Sequence, residues 1–201
     1  MTRKPLLLLS VLALAHCAHA QLAAYGNVTV GRLSGIQKDS QPSYPLVNSI
    51  APIGGGGGVY YDFHNVGPMR LGADLRFSDI STKQGALGYA QGTGGRVYSS
   101  LLGARGSFKT RYQALKPYVQ ASAGLGRTDY GHLIDSSGKP YIKSNFQYQV
   151  AAGLDLKIAP ILDIRLPELT YGGLDPFGTN GHNYPLMTVS AGIVFHLPSG
   201  N

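Results

Sequence analysis

Cysteine is almost absent from this chain. There is one, Cys17, in 201 residues, and no tryptophan. Beyond residue 20 there is no cysteine, which excludes a disulfide scaffold and any Cys-ligated metal site from the segment that follows. Charged residues are also few, at 13%. Lys and Arg are scattered, and without a basic run nucleic acid is not an expected partner. No stretch after residue 20 approaches the roughly 20 consecutive apolar residues of a transmembrane helix. Glycine, by contrast, is abundant at 28 residues, and tyrosine reaches 13. Low charge, abundant Gly and Tyr, and no helix-length apolar run together describe an all-β chain with many turns.

Residues 1–20 read as a secretory signal. Arg3 and Lys4 form a charged start, Pro5 to Ala15 is a short apolar run, and Ala18-His19-Ala20 is a small-x-small cleavage site that puts the mature start at Gln21. A lipoprotein modified at Cys17 is the competing reading, but His16 stands where such signals carry a small residue. Cleavage leaves residues 21–201 as one domain. Losing Arg3 and Lys4 lowers the net charge from +7 to +5. For an exported chain with dispersed cations, anionic lipid headgroups are a better match than nucleic acid.

The rest of the chain alternates with period 2, so each segment has one apolar and one polar face. The pattern predicts eight strands. They are Ala24 to Leu33, Gly54 to His64, Met69 to Ser78, Arg96 to Thr110, Pro117 to Thr128, Ser144 to Ile158, Ile161 to Tyr171 and Tyr184 to Leu197. Alternation slips at Pro167, which predicts a bulge or an irregular end. The five glycines Gly54–Gly58 lack the Lys-Ser/Thr of a phosphate-binding loop and read as a strand start with close backbone packing. Connections alternate long and short. Gly35–Ile53, Asp79–Gly95, Asp129–Lys143 and Gly172–Asn183 are long; those near Val66, Ala114 and Pro160 are short. That is the rhythm of transmembrane barrels, with short periplasmic turns and longer extracellular loops.

The last strand carries Ser190-x-Gly192-x-x-Phe195-x-Leu197, which resembles the C-terminal assembly signal of bacterial outer-membrane barrels. The whole segment after residue 20 resembles the small eight-stranded barrels of the OmpA and OmpX kind. The resemblance implies an eight-stranded antiparallel up-and-down transmembrane β-barrel in the bacterial outer membrane. It also implies outer-membrane lipid and the barrel assembly machinery as partners, a monomeric state and no cofactor.

Alternation alone does not say which face is inside; a soluble lipocalin-like binding barrel would be greasy within. The polar faces carry Asp62, Arg70, Asp74, Arg76, Arg105, Lys109, Asp155, Lys157, Asp163 and Arg165, with signs nearly balanced. Hairpin register predicts Asp155 opposite Arg165, Lys157 opposite Asp163 and Asp62 opposite Arg70. A lumen filled by such pairs is the expectation. Tyr25, Phe63, Phe77, Tyr98, Phe108, Tyr118, Phe146, Tyr148, Tyr171, Tyr184 and Phe195 near strand ends are read as interfacial girdles.

No catalytic site is expected. His64 and His196 fall at the periplasmic strand ends, and His132 and His182 fall in loops. No spacing joins them to Asp129, Asp135, Asp175, Ser136 or Ser137 as a triad. Asp129 to Asp135 lacks the order of a calcium loop. The expected role is structural or surface interaction. A narrow channel, a lipid-A-modifying enzyme and a soluble binding barrel are the alternatives.

Overall fold

The computed structural model describes residues 21–39, 46–83, 85–88, 94–112, 114–134, 140–175 and 183–197. The proposed cleavage residues Ala18 and Ala20 lie outside these, as do His182, Asp135, Ser136 and Ser137.

Eight long strands follow one another: β1 (Gln21–Ser34), β2 (Ile53–Val66), β3 (Met69–Ser81), β4 (Arg96–Phe108), β5 (Leu115–Ile134), β6 (Pro140–Ala159), β7 (Leu162–Leu174) and β8 (Tyr184–His196). Each pairs antiparallel with the next. β8 then returns to β1, from Ala23↔His196 to Leu33↔Leu186, and closes the sheet. This is the expected up-and-down eight-stranded barrel. Two hairpin turns are only two residues long, Gly67–Pro68 and Pro160–Ile161. Gly67 has a φ of 57°, the positive value such a hairpin asks of its first loop residue.

Burial decides inside from outside. Val28, Leu102, Leu125 and Val150 are each about 60–70% exposed on the outer face. Asp74, Asp163, Arg165 and Glu168 have 0–1% exposure and point inward. The greasy face is therefore the outer one, and a lipocalin-like arrangement is excluded.

Register places the predicted bulge in β7. Arg165 pairs with Gly192 and Glu168 with Ser190, so three steps on β7 match two on β8. Both Leu166 and Pro167 are exposed. Proline has no N–H to give a ladder, which suits the unpaired position.

The loop end departs from the expected polar loops. A 3-10 turn, Ile36–Asp39, and a two-residue strand, Ser49–Ile50, paired to the end of β1, sit inside the first long connection. β5 and β6 run on through most of the Asp129–Lys143 segment, reaching 20 residues each where about 9–11 would span a bilayer. Leu33, Ile36, Leu46, Ile50, Ile80, Leu87, Val97, Tyr130, Leu174, Tyr184 and Leu186 pack into one apolar cluster across this end of the barrel.

Candidate functional site

The barrel interior is the place where chemistry-bearing residues converge, and it is layered. At the turn end lies a polar rim. Gln21 joins Arg70 and His196: Arg70 Nη1 donates to Gln21 Oε1 at 2.8 Å, and Gln21 Nε2 donates to His196 Nδ1 at 2.9 Å. His196 Nε2 then donates to Asp163 Oδ2 at 2.6 Å, which also accepts from Lys116 Nζ at 2.7 Å.

Above the rim are three arginines and three carboxylates. Arg76 holds Glu168 through both forks, at 2.9 and 3.1 Å, and reaches Asp74 at 3.2 Å and Gln120 at 3.0 Å. Arg165 grips Asp155 at 2.9 and 3.2 Å, and Arg105 adds a bond to the same carboxylate at 2.7 Å. Tyr25 donates to Asp74 at 3.1 Å and Tyr118 to Glu168 at 2.6 Å. The guanidinium of Arg105 lies between the rings of Tyr60 and Tyr118, at 4.0 and 3.8 Å, and that of Arg165 lies over Tyr25 at 4.3 Å. Planar guanidinium suits both bidentate carboxylate binding and ring stacking, which lysine would not supply. Formal charge within this layer balances, as buried ions require.

Glycines make room for the rings. A Cβ on Gly58 would run into the Tyr25 ring, and one on Gly153 into Tyr118. Part of the glycine run at 54–58 is thus the floor on which Tyr25 rests.

Of the ten residues predicted to line the lumen, Asp62, Asp74, Arg76, Arg105, Asp155, Asp163 and Arg165 are buried inside. Arg70 is half-buried at the rim. Two are corrections. Lys109 lies one residue past the end of β4 and is exposed; Lys157, although paired with Asp163 in register, sits at an irregularity of β6 and is also exposed. Asp155 pairs with Arg165 as expected, but Asp62 faces Gly72 and Asn65 faces Arg70, because the ladder shifts between Asp62 and His64. Three residues read as girdle aromatics, Tyr25, Tyr118 and Tyr184, point inward. Phe63, Phe77, Phe108, Phe146, Tyr171 and Phe195 are exposed on the outer side. Glu168 was hidden by the bulge: strict alternation from Arg165 would aim it at lipid.

Between the charged layer and the apolar cluster runs a band of neutral polar contacts, including Thr29 with Ser190 at 2.9 Å and Ser99 donating to Gln147 at 2.7 Å. The space left there is a cavity of about 30 Å³, enough for a water or two. At the seam, Ser190 and Gly192 face inward on β8, whereas Phe195 and Leu197 stand out on the lipid side. Among the described residues no cluster of three potential metal ligands forms.

No family model matches the sequence, and no curated protein does. Solved structures do match. Neisserial surface protein A superposes with a TM-score of 0.59 at 16% identity, over 88% of this chain and 97% of that one. Ail, the attachment invasion locus protein of Yersinia pestis, crystallised with the heparin analogue sucrose octasulfate, superposes with a TM-score of 0.54 at 17% identity, over 89% of this chain and 99% of that one. Identities this low speak to fold alone. In that fold the short turns are periplasmic and the loop end is extracellular. With its apolar outer belt, polar interior and closed eight-stranded sheet, this chain has the transmembrane β-barrel fold of the small outer-membrane barrels.

Proposed function

We propose that this protein is a non-conducting, non-catalytic barrel whose extracellular end serves surface contact and whose body serves the outer membrane structurally. The observation that carries the reading is the double closure of the lumen: a neutralised Arg–carboxylate–Tyr layer below and an apolar cluster above, with about 30 Å³ between them. A hydrated path would have to breach both. The extracellular end is also pinned. Asp39 accepts from Lys143 Nζ at 2.7 Å and from Tyr184 Oη at 2.9 Å, tying the first loop to β6 and β8. A first loop tied in this way suits surface contact better than gating.

The same reading makes the protein a monomer in outer-membrane lipid. Ser190, Gly192, Phe195 and Leu197 serve as the strand signal for the assembly machinery, and Ala18-His19-Ala20 as the export cleavage site. Refolded protein in planar bilayers is expected to give no single-channel steps; regular steps would overturn the closed-lumen reading. Because residues 21–201 lack cysteine, Lys83→Cys offers a sidedness test. It should react with a membrane-impermeant maleimide on intact cells, whereas Lys109→Cys should not.

A further inference from the structure

The outer wall is not evenly filled. In register, the outward residues of β2 to β5 run Gly57, Phe77, Ser100 and Leu125 in one row, then Gly55, Asp79, Tyr98 and Arg127 in the next row toward the loop end. Phe77 and Leu125 stand exposed, and the small Gly57 and Ser100 leave a groove of about 580 Å³ beside them. That lies within the roughly 300–1,000 Å³ range of small-molecule sites. The second row is where the belt ends on these strands, since its outward residues turn polar or charged together. Headgroups meet a transmembrane barrel at that boundary.

Charge at this end of the groove is one-sided. Asp79 is the one carboxylate in the lining, and Arg96 occupies it: Nε donates to Oδ1 at 2.8 Å and Nη2 to Oδ2. Arg96 also lies over the Tyr98 ring at 4.6 Å. Arg127 is exposed between Tyr98 and Ser144 in register, and it forms no hydrogen bond or ion pair among the described residues. Asp129 stands one outward step beyond it, opposite Arg96, and no ion pair joins Asp129 to Arg127. The groove therefore presents an apolar bed with one uncompensated guanidinium at its polar end. A guanidinium accepts a phosphate through two parallel N–H bonds, and the complementary molecule is an amphiphile with a phosphate head.

We propose that this groove seats an acyl chain of a phosphate-bearing membrane lipid, with the phosphate on Arg127 and the chain running down beside Phe77 and Leu125. The Arg96–Asp79 pair removes the repulsion that Asp79 alone would exert. The site rests on the reading that the barrel stands in outer-membrane lipid, and it needs neither an open pore nor an extracellular partner.

The chain has no tryptophan, so a single introduced one reports locally. The protein is expressed with its signal, purified from the outer membrane and reconstituted in phosphatidylcholine vesicles. It carries either Phe77→Trp, on the groove wall, or Ile193→Trp, on the outer face of β8 away from the groove. Phosphatidic acid with brominated chains is the probe, and phosphatidylcholine with the same chains is the reference; bromine quenches indole fluorescence on contact. Phosphatidic acid should quench the Phe77→Trp protein with an affinity about fivefold above the reference, the equivalent of about 1 kcal/mol for one arginine at a membrane surface. The Ile193→Trp protein should show no such excess. Arg127→Gln should abolish the excess. Arg32→Gln, which removes the same charge from exposed β1 across the barrel, should keep it, and both variants should retain the heat-dependent gel mobility of the fold. The proposal is overturned if the two lipids quench the Phe77→Trp protein within about twofold of each other, if Ile193→Trp shows an equal excess, if Arg127→Gln leaves the excess in place, or if Arg32→Gln abolishes it. If the reference lipid quenches neither tryptophan, the lipid-facing outer wall itself is refuted, and this site with it.

Discussion

Glu168→Gln isolates the charged layer. Glu168 is 1% exposed, and its carboxylate takes both forks of Arg76 and the hydroxyl of Tyr118. Glutamine keeps the shape and one acceptor. Its amide nitrogen then faces Arg76 or Tyr118, donor against donor, and three arginines remain with only Asp74 and Asp155. Removing one partner of a buried pair costs about 3–5 kcal/mol, or roughly two to four powers of ten in the folding equilibrium. Because one acceptor survives, the lower end, about 3 kcal/mol, is expected. Urea unfolding and refolding in lipid vesicles, followed by gel mobility, reads the change. Arg76→Met placed on top should recover much of the loss, because charge parity returns, with Arg105 and Arg165 against the two aspartates; the difference is the coupling energy. If Glu168→Gln alone stays within about 0.5 kcal/mol of the parent, Glu168 is hydrated and the lumen is not the closed layer described.

Tyr118→Phe removes a buried donor to a carboxylate and is expected to cost about 1.5–3 kcal/mol, whereas Tyr112→Phe, on an exposed turn residue, should leave the urea midpoint unmoved. Gly192→Ala pushes a Cβ into the backbone of Gly26 and Asn27 at the β8–β1 seam, while Gly26→Ala meets nothing nearer than 4.0 Å; the first should lower refolding yield sharply and the second should not, and equal yields would count against a tight seam. Val150→Arg, at an outer position midway along β6, should destabilise the vesicle-inserted protein by about 2–4 kcal/mol, a loss that a water-facing position would not show.

The sequence discloses most where an element meets two different solvents. β8 and β6 face lipid on one side and a charged lumen on the other, so every second residue is constrained, and their strands are legible at sight. Asp155 opposite Arg165 follows from the Pro160 turn because the ladder there is nearly regular. Asp62 with Arg70 does not follow, because one irregular step beside Phe63 shifts everything beyond it. Glu168 is lost for the same reason. The inward tyrosines escape notice because a tyrosine satisfies either an interfacial belt or a stacked, hydrogen-bonded lumen. The decisive signal, a glycine on the facing strand such as Gly58 or Gly153, is readable only once register is known. The apolar cluster at the extracellular end is assembled from single residues such as Leu46, Ile50 and Leu87 in stretches that are otherwise polar, and no local period marks them.

The β1–β8 seam has a kinetic consequence. Ala23 and His196 are 173 positions apart, so the pairing that completes the barrel joins the first long strand to the last and is the last for which entropy favours formation. Until the seam shuts, Arg76, Arg105 and Arg165 remain hydrated; when it shuts they lose water together. Ring closure and desolvation are then a single barrier, crossed once on the way in. The reverse crossing must open the seam and rehydrate three arginines and their carboxylates at the same moment, and that makes the folded barrel long-lived whatever its equilibrium stability.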